Sequence, residues 1–227
     1  MIPWSLREVS VRRWKQAQNH EAGFWKQPFA LPPQQERVAQ RYARLLADVS
    51  FAGTDAGCVL EVGSGPTCAI QSVNGCRRTF VDPLMNVYHP LCEDVPGHFV
   101  AAVGEKLPFP DAMFDAVFSL NVIDHVISPA AFLKEMVRVT RPGGFTVIGV
   151  YTHPRLFAVV RTFLERAIPW ARETPHPFFF SRHSLVRLLR HYQMEVFRLV
   201  CVYAPKHRPS LHRQDWVTFA RKPQRGR

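Results

Sequence analysis

The rhythm of apolar and polar positions changes twice along the chain. In the first 50 residues it is helical: Trp14, Ala17, Glu21, Phe24 and Trp25 recur at three- and four-residue steps, with the aromatic rings on the apolar side. Pro28, Pro32 and Pro33 break that pattern. Val38, Tyr42, Leu45, Leu46 and Val49 restore it, with Arg and Gln between them, which predicts a second helix. From Gly57 onward the chain becomes short apolar runs bounded by turns. CVLEV (58–62), RRTFVD (77–82), HFVAAV (98–103), FDAVFSL (114–120) and FTVIGV (145–150) read as strands. A helix is predicted from the GSGPT turn (63–67) to about Val73. Another follows Pro129 (AAFLKEMVRVT) and is ended by Arg141-Pro142-Gly143-Gly144. Strands alternating with helices or loops at this pitch predict a parallel sheet covered on both faces.

After Tyr151 the alternation pauses. At 100° per residue, Leu156, Phe157, Val159, Val160, Phe163, Leu164, Ala167 and Ile168 fill one arc of a helix predicted over 155–172. Arg155, Arg161, Thr162, Glu165 and Arg166 fill the other. Such an arc packs on the sheet or a partner chain, caps a pocket, or lies on a membrane with Phe157, Phe163 and Trp170 inserted. An aromatic loop, HPFFF (176–180), comes next, and Ser181 has the character of an N-cap for a helix to Tyr192. MEVFRLVCVY (194–203) and DWVTFAR (215–221) bring the strand count to seven. The 204–214 loop and the last six residues are basic and expected to be mobile.

Length fits one domain over 1–227: an N-terminal helical cap (1–50), a core (57–150), a substrate-cap insertion (151–180), and a C-terminal helix, strand pair and basic tail (181–227). Apolar residues at 47% and charged residues at 21% exclude a disordered chain, and no run is long enough for a membrane span. The N-terminal MIPWSLREVSVRRWKQ has no apolar h-region, so a secretory signal is not expected. Five cysteines with no C-x-x-C pair argue against a disulfide framework or a zinc site, and fit a reducing cytosol; no metal site is expected. Residues 51–150 hold 6 basic and 10 acidic residues, whereas residues 151–227 hold 15 and 4. The basic third favours an anionic partner: nucleic acid, a phosphorylated substrate or acidic lipid.

The strongest chemical signal is Glu61-Val62-Gly63-Ser64-Gly65-Pro66-Thr67 after a buried strand, with Asp82 ending the next strand. Glycines let backbone approach a ligand closely. An acid at the tip of the second strand can accept from both ribose hydroxyls, and ligands of open parallel sheets sit beyond those strand ends. A dinucleotide fingerprint would have Gly or Ala where Cys68 stands. Glu61 would repel a pyrophosphate, whereas a ligand bearing a sulfonium and an α-amino group suits that acid.

The segment from about 57 to 150 resembles the class I S-adenosylmethionine-dependent methyltransferases of the small single-domain type. VLEVGSGPT is similar to the family's first motif and TFVDP (79–83) to its second. VGEKLPFPDAMFDAVFSLNVIDHV (103–126) resembles the stretch from the adenine loop through the fourth strand. RPGGFTVIGV (141–150) resembles the turn into the fifth. Thr67 stands where the first motif often has a third glycine. The resemblance implies a Rossmann-like α/β fold: a mostly parallel seven-stranded sheet, helices on both faces and an antiparallel final strand, supplied by DWVTFAR. It implies S-adenosylmethionine as cofactor, with Glu61, Gly63, Ser64 and Gly65 along the methionine part and Asp82 on the ribose. Pro83 would lie near the adenine, Gly104 and Glu105 at the adenine edge, and Asn121 beneath the cofactor.

Methyl transfer is then an in-line displacement onto a small or medium acceptor, lipid- or sugar-linked. A general base helps where the acceptor is a hydroxyl, by about 10²–10⁴-fold. His125, in Asp124-His125 after the fourth strand, is the first candidate; Tyr151 and His153, after the fifth, are the second. The competing readings are an RNA methyltransferase, motivated by the basic third; a non-catalytic scaffold that keeps the fold; and a nicotinamide oxidoreductase, disfavoured by Cys68 and Glu61.

Overall fold

The apolar runs pair edge to edge because parallel strands buried on both faces need no polar side. The computed structural model describes residues 7–25, 40, 42, 45, 46, 57–168, 175–204 and 213–224. Its strands are β1 (Gly57–Val62), β2 (Cys76–Asp82), β3 (His98–Ala101), β4 (Phe114–Leu120), β5 (Thr140–Thr152), β6 (Glu195–Tyr203) and β7 (Gln214–Arg221). They form one seven-stranded sheet in the order β3-β2-β1-β4-β5-β7-β6. β1 to β5 are parallel, and β7 runs antiparallel between β5 and β6. This is the mostly parallel Rossmann-like sheet with an antiparallel final strand that the sequence implied. The helices are α1 (Val11–Trp25), α2 (Met85–Tyr88), α3 (Pro129–Val139), α4 (Arg155–Ala167) and α5 (Arg182–His191). None among the described residues is long and apolar enough to cross a membrane.

The period-two alternation of the strands divides the core in two. Leu60, Val62, Val117 and Ile148 face Phe132, Leu133 and Met136 of α3 and Leu185, Leu188 and Leu189 of α5. Val59, Phe80, Phe118, Val147 and Phe219 face the other way, toward Ile70, Val73, Tyr42, Leu45 and Leu46. Ser128 starts α3 by accepting from Ala131 N–H at 3.3 Å. Ser181 starts α5 in a capping box with Ser184. Tyr42 donates to buried Asp215 Oδ2 at 3.0 Å, which ties the second predicted helix to β7. Most of that helix, Trp170, the 205–212 loop and the last three residues lie outside the described residues.

Three expectations are corrected. The helix predicted to run from the GSGPT turn to Val73 is one short 3-10 turn, Ala69–Ser72, because Cys68 sits in the left-handed region (φ 44°) and Gly75 (φ 70°) turns the chain into β2. Arg141–Gly144 does not separate α3 from the fifth strand; it is a bulged start of β5, opposite a register shift between Phe114 and Ala116. The third concerns α4, described over 155–167: of the placements open to its apolar arc, packing on the sheet is the one that falls, because Ala158, Thr162 and Glu165 are the side buried instead.

Phe118, fully buried at the centre of β4, reports on this core. Phe118→Ala is expected to cost about 3–5 kcal/mol in urea unfolding; a loss below about 1 kcal/mol would mean that the two-layer packing is wrong.

Candidate functional site

Beyond the carboxyl ends of β1, β2 and β4 lies a cleft of about 970 Å³, measured out to its open mouth. Its inner wall is the turn after β1. Gly63 and Ser64 donate their N–H groups to Val81 O at 2.7 and 3.2 Å, fastening the turn to the tip of β2. Gly63 needs its positive φ of 76°, and a Cβ there would overlap Val122. Gly65 (φ 50°) would direct a Cβ into open space, so its bare backbone leaves room for a ligand.

Asp82 closes this corner. Its Oδ2 accepts from Gly65 N–H at 3.0 Å and its Oδ1 from Leu84 N–H at 2.8 Å. Burial pushes its carboxyl up to about 6, against the pull of those two donors and with help from the charge of Glu21. Each oxygen keeps a lone pair for a further donor. Ser64 Oγ, also lining the cleft, is buried with no hydrogen-bond partner among the described residues.

Gly63, Ser64, Gly65, Asp82, Pro83, Gly104, Glu105, Asn121 and His125, all singled out in the sequence, line this one cleft. Glu61 does not. It lies beneath the turn, where Ala69 and Ile70 donate their N–H groups to Oε1 and Oε2 at 3.2 and 3.1 Å. Burial raises its carboxyl to about 8 despite these donors, so it is largely neutral at pH 7. Glu105 reaches the wall but spends Oε1 on Ile127 and Ser128 N–H, at 2.6 and 3.2 Å, bracing the entry to α3. Gly104 admits the ring of Phe132, which a Cβ would overlap. Tyr151 and His153 are not brought to the cleft: Arg213 lies over Tyr151 at 4.7 Å, and His153 stacks on Phe157 at 4.9 Å.

Other lining groups escaped the sequence reading. α1 contributes Glu21 and Gln18 beside Trp14 and Trp25, while Phe24 stays out of the lining and meets Trp25 edge-on at 5.2 Å. Helical spacing marked the aromatic residues of α1, but only the tertiary fold turns its acid inward. His176, in the HPFFF loop, places Nδ1 3.1 Å from Asp124 Oδ2. His125 Nε2 lies 3.7 Å from Asp124 Oδ1, and its Nδ1 lies 3.7 Å from Glu21 Oε1. Burial alone would raise the Asp124 carboxyl; the charges of His125 and His176 outweigh it and hold it at about 2. Asp124, His125 and His176 each offer one ligand atom, all within 4.8 Å of one another, so the set could take a metal ion. No sequence spacing announces this set, because His176 arrives from a distant loop.

A parallel sheet with a glycine turn and an acid at adjacent strand tips is the arrangement that nucleoside-binding α/β domains use. Residues 60–148 match the family described as a methyltransferase domain. An uncharacterized methyltransferase of Mycobacterium sp. (strain KMS) is 37% identical over 119 residues, 49% of this chain and 47% of that protein. The chain thus spans about half the length of the curated relatives it matches. Among solved structures, a S-adenosylmethionine-dependent methyltransferase of Thermotoga maritima, a possible histamine N-methyltransferase, superposes with a TM-score of 0.63 at 18% identity, over 92% of this chain and 99% of that one. Geranyl diphosphate C-methyltransferase of Streptomyces coelicolor, seen with Mg2+, geranyl diphosphate and S-adenosylhomocysteine, gives 0.66 at 11% identity, over 95% and 99%. Residues 60–148 thus match a methyltransferase domain, and the solved structures share its fold.

Glu61 gives a pH signature. Its folded value, about 8, lies above its ordinary 4.5, so the stability it lends is complete below about 4.5 and is lost as pH rises through 8. Urea midpoints are expected to fall between about pH 5 and about pH 9, and Glu61→Gln to flatten that fall. Midpoints that rise over this range would contradict the burial of a neutral Glu61.

Proposed function

We propose that the chain is an enzyme that transfers a methyl group from S-adenosylmethionine to a hydroxyl of a small or medium acceptor, lipid- or sugar-linked. The observation that carries this reading is the pairing of an open glycine turn with Asp82, beside an unpartnered Ser64 Oγ, in one cleft. These groups fit the cofactor. Asp82 has acceptor capacity left for ribose hydroxyls. Ser64 Oγ and the bare backbone of Gly63 and Gly65 suit the methionine end. Pro83 and Gly104 suit the adenine side, with Asn121 beneath. Glu21 puts a carboxylate into the cleft, where Glu61 is spent on the turn.

When bound, S-adenosylmethionine supplies a methyl already activated by its sulfonium. The residues around it then need to orient an acceptor and take one proton; well-oriented intramolecular reactions reach effective molarities on the order of 10⁵–10⁸ M. His125 is suited to the proton. Asp124 Oδ1 lies 3.7 Å from Nε2 and Glu21 Oε1 lies 3.7 Å from Nδ1, so each ring nitrogen faces a carboxylate that favours the imidazolium once the ring has taken a proton. Asp124 also stabilises the imidazolium that forms, and its contact with His176 fixes the carboxylate. His125 lines the cleft and Tyr151 and His153 do not, which supports His125 in this role. That geranyl diphosphate C-methyltransferase holds a small molecule beside S-adenosylhomocysteine supports a small-molecule acceptor.

Two variants test the reading. Asp82→Ala is expected to weaken S-adenosylmethionine binding by about tenfold or more in equilibrium dialysis, through lost charge-assisted hydrogen bonds; unchanged affinity would overturn the cofactor assignment. His125→Ala is expected to lower kcat for S-adenosylhomocysteine formation by about 10²–10⁴-fold, across a panel of hydroxylated acceptors, with cofactor affinity kept. Equal loss of both would make His125 a structural residue.

A further inference from the structure

Helix α4 is built inside out. Its apolar residues Leu156, Phe157, Val159, Val160 and Phe163 are exposed, Leu156 at 77% and Phe163 at 57%, while Ala158, Thr162 and Glu165 are buried. The inversion is held from the polar side. Arg13 of α1 donates Nε to Glu165 Oε1 at 2.6 Å in a buried ion pair, and Arg166 donates to Arg7 O. Thr162 Oγ1 returns its proton to Ala158 O at 2.7 Å, so the inward face needs no other partner for that hydroxyl. A helix fastened this way cannot turn its apolar arc inward without breaking a buried charge pair.

The outward arc has a definite charge. At 100° per residue it spans about 160°, with Arg161 at one edge and Arg155 and Arg166 at the other. Glu165, the single acid of the helix, is the residue turned inward and neutralised by Arg13. Among the described residues, what faces out is therefore an apolar stripe with Arg155 exposed at one edge and no carboxylate of the helix turned outward; Arg161, over the Phe179 ring at 4.9 Å, and Arg166, held on Arg7 O, flank it while keeping those contacts. Arginines at the rim of an apolar stripe can keep their stems on the apolar side and their guanidinium groups among headgroup phosphates.

We propose that α4 docks this chain on an anionic lipid surface, lying in the interface with Leu156, Phe157, Val160 and Phe163 inserted. The charge of residues 151–227, 15 basic against 4 acidic, adds long-range attraction to the same kind of surface.

Co-sedimentation of the full chain with vesicles tests this, and the readout needs neither cofactor nor turnover. Binding is expected to vesicles of equal parts phosphatidylcholine and phosphatidylglycerol, to weaken as salt is raised, and to be lost on pure phosphatidylcholine. The double variant Phe157→Ser, Phe163→Ser is expected to bind anionic vesicles at least about tenfold more weakly. Phe163 is exposed and Phe157 keeps one face on His153, so circular dichroism of the variant should show a folded chain with its thermal midpoint lowered by only a few degrees. No binding by the parent, or equal binding by parent and variant, overturns the proposal. So does a parent that is dimeric in analytical ultracentrifugation, ignores vesicles and becomes monomeric on the double substitution; the face would then be a contact between two copies.

Discussion

Two backbone hydrogen bonds to one carboxylate organise the site. Gly65 and Leu84 donate to the two oxygens of Asp82, so the turn after β1 and the turn after β2 are locked to a single side chain. The first bond requires Gly65 at positive φ, and Gly63 must lack a Cβ for Val122 to pass. Parallel pairing of β1 with β2, Val62 beside Val81, brings these tips together in the first place. Burial of the carboxylate outweighs what the Gly65 and Leu84 N–H groups return, which pushes it up to about 6 and leaves its remaining lone pairs open to a further donor from the cleft.

Much of this was legible in the residues. The strands were readable because each is a short apolar run stopped by a turn signal, and parallel strands buried on both faces leave that trace. The glycine turn and Asp82 were readable because each needs a special residue type at a fixed place. Glu61 was half legible. At the end of the first strand it was read as suiting a ligand's positive charge, but an acid can serve a ligand or a backbone turn, and only the Ala69 and Ile70 contacts separate the two. The short 3-10 turn was missed because Cys68 takes a left-handed conformation that its side chain does not announce.

The remaining gaps are tertiary. Glu21 and His176 lie far in sequence from Asp82 and Asp124, in segments whose local pattern is a helix and an aromatic loop. The orientation of α4 was beyond periodicity altogether. An amphipathic pattern tells that a helix has two faces; it does not tell which face the fold takes. Here a buried Arg13–Glu165 pair decides against the usual choice, at the cost of leaving five large apolar side chains outside. α1 lines the cleft and is fastened to α4 by the Arg13–Glu165 pair, on the side of α4 opposite the outward stripe.

Calorimetric titration with S-adenosylhomocysteine, repeated from about pH 5 to about pH 7.5, tests the centre of this account most directly. One binding site is predicted, with affinity rising as pH passes about 6, where Asp82 ionises and can receive the ribose hydroxyls. Absence of uptake throughout, or affinity that falls as Asp82 ionises, would contradict it.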